Sequence, residues 1–141
     1  MQSQTISHQD RSTSESNLLR RALQSDALFS LLSSLVFIFA SGPVARFLGP
    51  NVPSWLVLAI GVSFLPFVAG IYWILADLEG RVRYGRFITI LNFAWVVGSY
   101  LLLWLAWSEF TVAGRWFVAL QAEVIFLFAI LQILGLRRLN R

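Results

Sequence analysis

The first residue to raise a chemical question is Glu123, an acid inside a long apolar run from Val112 to Leu136. At 1.5 Å per helical residue it lies roughly 18 Å from either end of that run. Ionisable groups at such a depth are costly and mark a functional site by default. Arg115 is the nearest base in sequence, and at roughly 12 Å along one straight helix it is too far for a direct pair. A carboxyl without a cation is therefore expected to be protonated, to face the interior of a bundle and to donate its proton. Two acceptors suggest themselves. Pro66 leaves the carbonyl of Val62 without its usual donor, and Ser99 falls at a similar depth.

Measured from the arginines that flank each apolar run, the other polar residues form two tiers. Asp26, Asp77, Asn92 and Gln132 each lie roughly 6–9 Å along a helix from an arginine. Ser34, Pro66, Ser99 and Glu123 lie roughly 20–22 Å from the same anchors. Helical phase puts Asp26, Ser30, Ser33 and Ser34 on one face, and Asn92, Trp95 and Ser99 on another. Ser63, Gly70 and Asp77 recur every seven residues. Small and polar residues sharing a face are what membrane helices use to approach and hydrogen-bond one another. The tiers are thus either packing contacts or the lining of a ligand or proton cavity.

Gln121 and Gln132 share a face of the last run, whereas Glu123 lies about 160–200° away at 100° per residue. One bundle interior does not easily accommodate both faces, so either the helix is deeply embedded or one polar face meets a partner subunit. Gln121, with the small-xxx-small pair Ala94 and Gly98 that points away from Asn92, is therefore a candidate oligomer surface.

Catalytic constellations are sparse. The chain has no cysteine, and its single histidine, His8, falls in a polar stretch. Disulfide and thiol chemistry, iron–sulfur clusters, Cys-ligated zinc and axial-imidazole haem therefore have no ligands, and no metal or cofactor is expected. Glu123 and Asp26 differ by about 14 Å in depth, too far for joint acid–base work. GRVRYGR has neither the spacing nor the preceding strand of a phosphate loop. Its Arg81, Arg83 and Arg86, with Arg137 and Arg138, read as lipid-headgroup anchors.

The elements that position these residues follow from hydropathy. Of 141 residues 57% are hydrophobic and 13% charged, so the composition selects the membrane class. Residues 1–17 are polar and are expected to form a disordered tail. Residues 18–141 are expected to form one all-α domain, an antiparallel bundle of four transmembrane helices over about 22–41, 55–76, 87–107 and 112–136. The first run resembles a signal peptide in layout, but its length and the spans that follow favour a retained helix. Ser41 to Pro53 reads as a turn-rich connector, and Asp77 to Arg86 as a short basic loop.

All eleven basic residues are arginines. Nine fall at one end of such a bundle, while only Arg46 and Arg115 fall at the other. The positive-inside rule then puts both termini in the cytoplasm. Trp55, Trp104, Trp107, Phe110 and Trp116 gather at the opposite ends as an interfacial belt. No arginine stripe with interleaved aromatics indicates nucleic-acid binding.

The segments ALFSLLSSLVFIFASGPVARFLG, LPFVAG, LNFAWVVGSYLLL and LQILGLRR resemble a group of small bacterial four-span integral membrane proteins, loosely similar in size and layout to the DoxX-like proteins. The resemblance spans about Leu18 to Arg138. It implies a bacterial inner-membrane location and the four-helix fold. Some DoxX-like proteins accompany quinone-linked oxidoreductases, but no residue role carries over. The expected function is that of a non-enzymatic structural or accessory subunit, embedded in lipid as a homo-oligomer or in a larger complex. The alternative is a small carrier or proton-coupled permeation unit using Glu123.

Overall fold

The computed structural model describes residues 2–139, with side chains from Asn17 onward. Among the described residues five α-helices make up the fold: α1 (Gln2–Phe39), α2 (Ser41–Leu48), α3 (Ser54–Ala76), α4 (Leu78–Leu105) and α5 (Val112–Leu139). A single 3-10 turn, Trp107–Glu109, joins α4 to α5. Four segments are long and apolar enough to cross a membrane: Asn17–Phe39, Ser54–Ala76, Leu78–Leu105 and Val112–Leu139.

Burial is inverted relative to a water-soluble bundle. The perimeter carries large apolar side chains, with Phe39 83%, Trp104 77% and Leu105 71% exposed. The interior holds Asp26, Ser30, Ser34, Thr89, Asn92, Ser99 and Gln132 beside its leucines and isoleucines. Apolar side chains outward and polar side chains inward suit a hydrocarbon surround, where polar groups must find partners within the protein. The chain is a multi-pass helical membrane protein.

The helices form an incomplete ring. α1 packs along α3 and α5, and α5 packs along α4, while α3 and α4 touch only sparsely. Two apolar clusters fill it. Leu19, Leu23, Ile71, Ile88 and Leu136 belong to one near the arginine-rich end. Ala45, Leu48, Val57, Leu103 and Val118 belong to the other, beside α2.

Three segments differ from the sequence expectation. Backbone helix in α1 runs back to Gln2, over the stretch for which composition predicts a disordered tail. A helix already nucleated by a packed span extends at the cost of propagation alone, which composition does not capture. The connector after the first span contains α2, a short helix. Its Pro43 precedes the first intrahelical bond, Val44 N to Ala40 O, and so removes no donor the helix needs.

The basic loop is absent. A single residue, Asp77, separates α3 from α4, and its side chain accepts from Gly80 N at 3.3 Å as the N-cap of α4. Arg81, Arg83 and Arg86 therefore lie on the first turns of a helix rather than in a loop. An N-cap carboxylate and arginine's own helix propensity outweigh the turn signal of Gly80 and Gly85.

At the far end, Thr111 N donates to Leu48 O at 2.8 Å, and Thr111 Oγ1 caps α5 by accepting from Gly114 N at 2.9 Å. Asn51 Nδ2 donates to Glu109 Oε2 at 3.0 Å. The α4–α5 turn is thereby tied to the end of α2.

Candidate functional site

The buried acid is Asp26. It is fully enclosed, as is Gln132. Asn92 Nδ2 donates to Asp26 Oδ2 at 2.6 Å and Gln132 Nε2 donates to the same oxygen at 2.7 Å. Ser30 Oγ, one turn along α1, donates to Oδ1 at 3.4 Å. Gln132 Oε1 in turn accepts from Asn92 Nδ2 at 3.2 Å and from Thr89 Oγ1 at 3.1 Å. Thr89 Oγ1 also reaches Gly85 O at 3.0 Å.

This clasp joins α1, α4 and α5 at one level. Each helix places its residue for a local reason. Asp26 follows the Leu19–Leu23 face by one turn. Thr89 and Asn92 are one turn apart on α4, and Gln132 lies one turn before Gly135, where α5 meets α1. All the donors that converge on the carboxyl are neutral. No arginine reaches it among the described residues.

Asp77, expected at the same level, does not join. It is exposed and serves as the N-cap of α4. Its heptad companions Ser63 and Gly70 line a groove of about 390 Å³ between α3 and α4, together with Pro66, Phe67 and Leu91. The face they share turns toward the sparse α3–α4 seam rather than toward the clasp.

The deeper tier divides instead of converging. Ser34 Oγ donates to Gly61 O at 2.7 Å, tying α1 to α3. Ser99 Oγ accepts from Gln121 Nε2 at 3.1 Å, and Trp95 Nε1 donates to Gln121 Oε1 at 2.9 Å, tying α4 to α5. Pro66 is exposed on the groove.

Glu123 corrects the expectation most sharply. Its side chain is exposed on the outer side of α5 and accepts a hydrogen bond from Tyr100 Oη. It neither faces the interior nor bonds to Val62 O or Ser99. Gln121 is also corrected as part of an outer surface, since its amide is spent within the α4–α5 seam. The rotation of α5 that buries Gln132 and turns the half-buried Gln121 into the α4–α5 seam necessarily turns Glu123 outward. Ala94 and Gly98 do lie exposed, and a Cβ at Gly98 meets nothing within 4 Å.

Of the anchors, Arg81 stacks on Trp73 at 4.1 Å and donates to Trp73 O. Arg83 lies over the Tyr84 ring at 4.9 Å. Arg86, Arg137 and Arg138 are exposed. Arg141 lies outside the described residues.

Sequence reasoning missed Thr89, Gly61 and Tyr100. The first was findable, because it precedes Asn92 by three residues and so shares its face. Gly61 acts through a backbone carbonyl, which no side-chain pattern reveals. Among the described residues no group of three or more His, Cys, Asp or Glu is placed to hold a metal ion. Among the described residues every buried side-chain nitrogen and oxygen has a hydrogen-bond partner. No protein-family model, curated protein or solved structure matches this chain.

Proposed function

We propose that the chain is a non-enzymatic accessory subunit of a bacterial inner-membrane assembly, docking its partner along the outer surface of α5. One observation carries this reading: Glu123 presents a carboxyl on an apolar perimeter with Tyr100 as its donor. A charged acid at the centre of a spanning helix costs about 2.5–3.5 kcal/mol to insert, and a partner helix bearing a base or donors at that depth would offset it. The interior supports the same reading, since the clasp spends its polar groups on one another.

Purification in mild detergent, read by native mass, tests this. The wild type should retain a stoichiometric partner, and Glu123→Leu should lose it while its own bundle stays at least as heat-stable. A wild-type protein that migrates alone defeats the reading. If that protein instead carries proton flux in liposomes, the carrier alternative replaces it, with Asp26 rather than Glu123 as the internal acid.

The orientation proposed with this function has both termini in the cytoplasm, supported by the arginine asymmetry. Alkaline phosphatase fused after Gly49 should be active, and fused after Arg141 inactive. The reverse pattern inverts the topology.

A further inference from the structure

Several arginines of this protein are already engaged. Arg81 is held by the Trp73 ring and carbonyl, Arg83 by Tyr84, and Arg115 by the Trp107 ring at 4.1 Å and its carbonyl at 3.0 Å. Arg20 Nη1 donates to Leu75 O at 3.4 Å. Arg86 and Arg137 differ. Among the described residues neither makes a side-chain hydrogen bond, a carboxylate pair or a ring contact, and both line one open groove of about 360 Å³ between α4 and α5. That size falls within the roughly 300–1,000 Å³ typical of ligand pockets.

The rest of the groove is apolar. Ile90, Phe93, Ile133 and Leu136 form its walls, with Thr89 at its base. Phe93 stacks edge-on against Phe126 at 5.9 Å, which closes the seam above it. Two guanidinium groups at the bundle's arginine-rich end, with an apolar trough leading from them toward mid-span, match an amphiphile with an anionic head and a hydrocarbon tail. The groove between α3 and α4 is of similar size and has no arginine on its wall.

We propose that the α4–α5 groove seats one anionic phospholipid, its phosphate between Arg86 and Arg137 and one acyl chain along Ile90, Phe93 and Ile133. The seat does not require a partner on Glu123. Arginine suits the head, because its planar fork bonds phosphate oxygens in pairs. The groove touches the clasp through Thr89, which donates to Gln132, so a bound lipid lies against the α4–α5 side of the clasp.

Native mass spectrometry of the whole protein, with equimolar phosphatidylglycerol and phosphatidylcholine, tests the seat. The wild type should keep one phosphatidylglycerol in preference to phosphatidylcholine. Arg86→Gln with Arg137→Gln should weaken that adduct roughly tenfold or more, given about fivefold per basic residue near an anionic headgroup. Arg83→Gln with Arg138→Gln removes the same charge outside the groove and should weaken it several-fold less, because neither guanidinium lines the groove that seats the phosphate. Ile133→Trp fills the trough with both arginines intact, and should also lose the adduct. All three variants alter perimeter or groove positions, and gel filtration checks that each is folded. Equal losses in the two arginine pairs would reduce the effect to diffuse surface attraction and overturn the seat. So would full retention in Ile133→Trp, or no preference for the anionic lipid.

Discussion

Asp26→Leu should destabilise the bundle by about 1–3 kcal/mol, the cost of leaving a buried donor unpaired. Asp26→Asn should lose less than about 1 kcal/mol, the scale of one intramembrane hydrogen bond. The difference follows from the atoms. Leucine removes the oxygen that receives both Asn92 Nδ2 at 2.6 Å and Gln132 Nε2 at 2.7 Å. Asn92 keeps Gln132 Oε1 as an acceptor, but the Gln132 amide nitrogen is left with none of its recorded partners. Asparagine supplies an amide oxygen in the same place, and its NH2 group can face Ser30 Oγ. Unfolding in a detergent titration, followed by helical circular dichroism, separates the two variants. Equal stability of leucine and wild type would mean that the clasp holds nothing together.

Gly135→Ala should also destabilise, by about 1–3 kcal/mol from overpacking, although alanine is the better helix former by about 1 kcal/mol. A Cβ at Gly135 would stand 2.9 Å from Leu19 Cβ, 3.0 Å from its Cα and 3.1 Å from its nitrogen. Two of those three atoms are backbone, so α1 and α5 must separate. One turn away on α5, Gln132 reaches Asp26 across the same interface, and separation stretches that bond too. Gly70→Ala is the matched control, since a Cβ there meets nothing within 4 Å and propensity alone should act. It should be neutral or gain up to about 1 kcal/mol. Similar melting temperatures for the two variants would show that α1 and α5 are not in close contact at Gly135.

The common depth of Asp26, Asn92 and Gln132 was readable from the sequence because helical rise is constant and the arginines supply a datum at one end of each span. Asp77 sat at that depth too, yet it went to cap α4. Depth says nothing about whether a helix has already ended. Glu123 had the right depth and the wrong face. Its distance from the arginines was sound, but the rotation of α5 was a choice between the face of Gln121 and Gln132 and the face of Glu123. Counting polar side chains favoured the glutamines, while the rule that intramembrane acids face inward favoured the glutamate.

By itself, then, the sequence determined the class of this protein. Long apolar runs, the absence of cysteine and arginines crowded at one end are properties of composition and order, and no packing detail alters them. Tertiary structure decided what composition cannot hold: which helices touch and how each is rotated. α5 turns as it does because Gly114 and Gly135 let the backbones of Leu48 and Leu19 come close, with a Cβ at Gly114 only 2.8 Å from Leu48 Cα. Once those contacts set its azimuth, Gln132 falls inside, Gln121 falls in the α4–α5 seam and Glu123 falls on the perimeter. The rotation of a helix costs nothing along its own axis, so close packing against its neighbours fixes it.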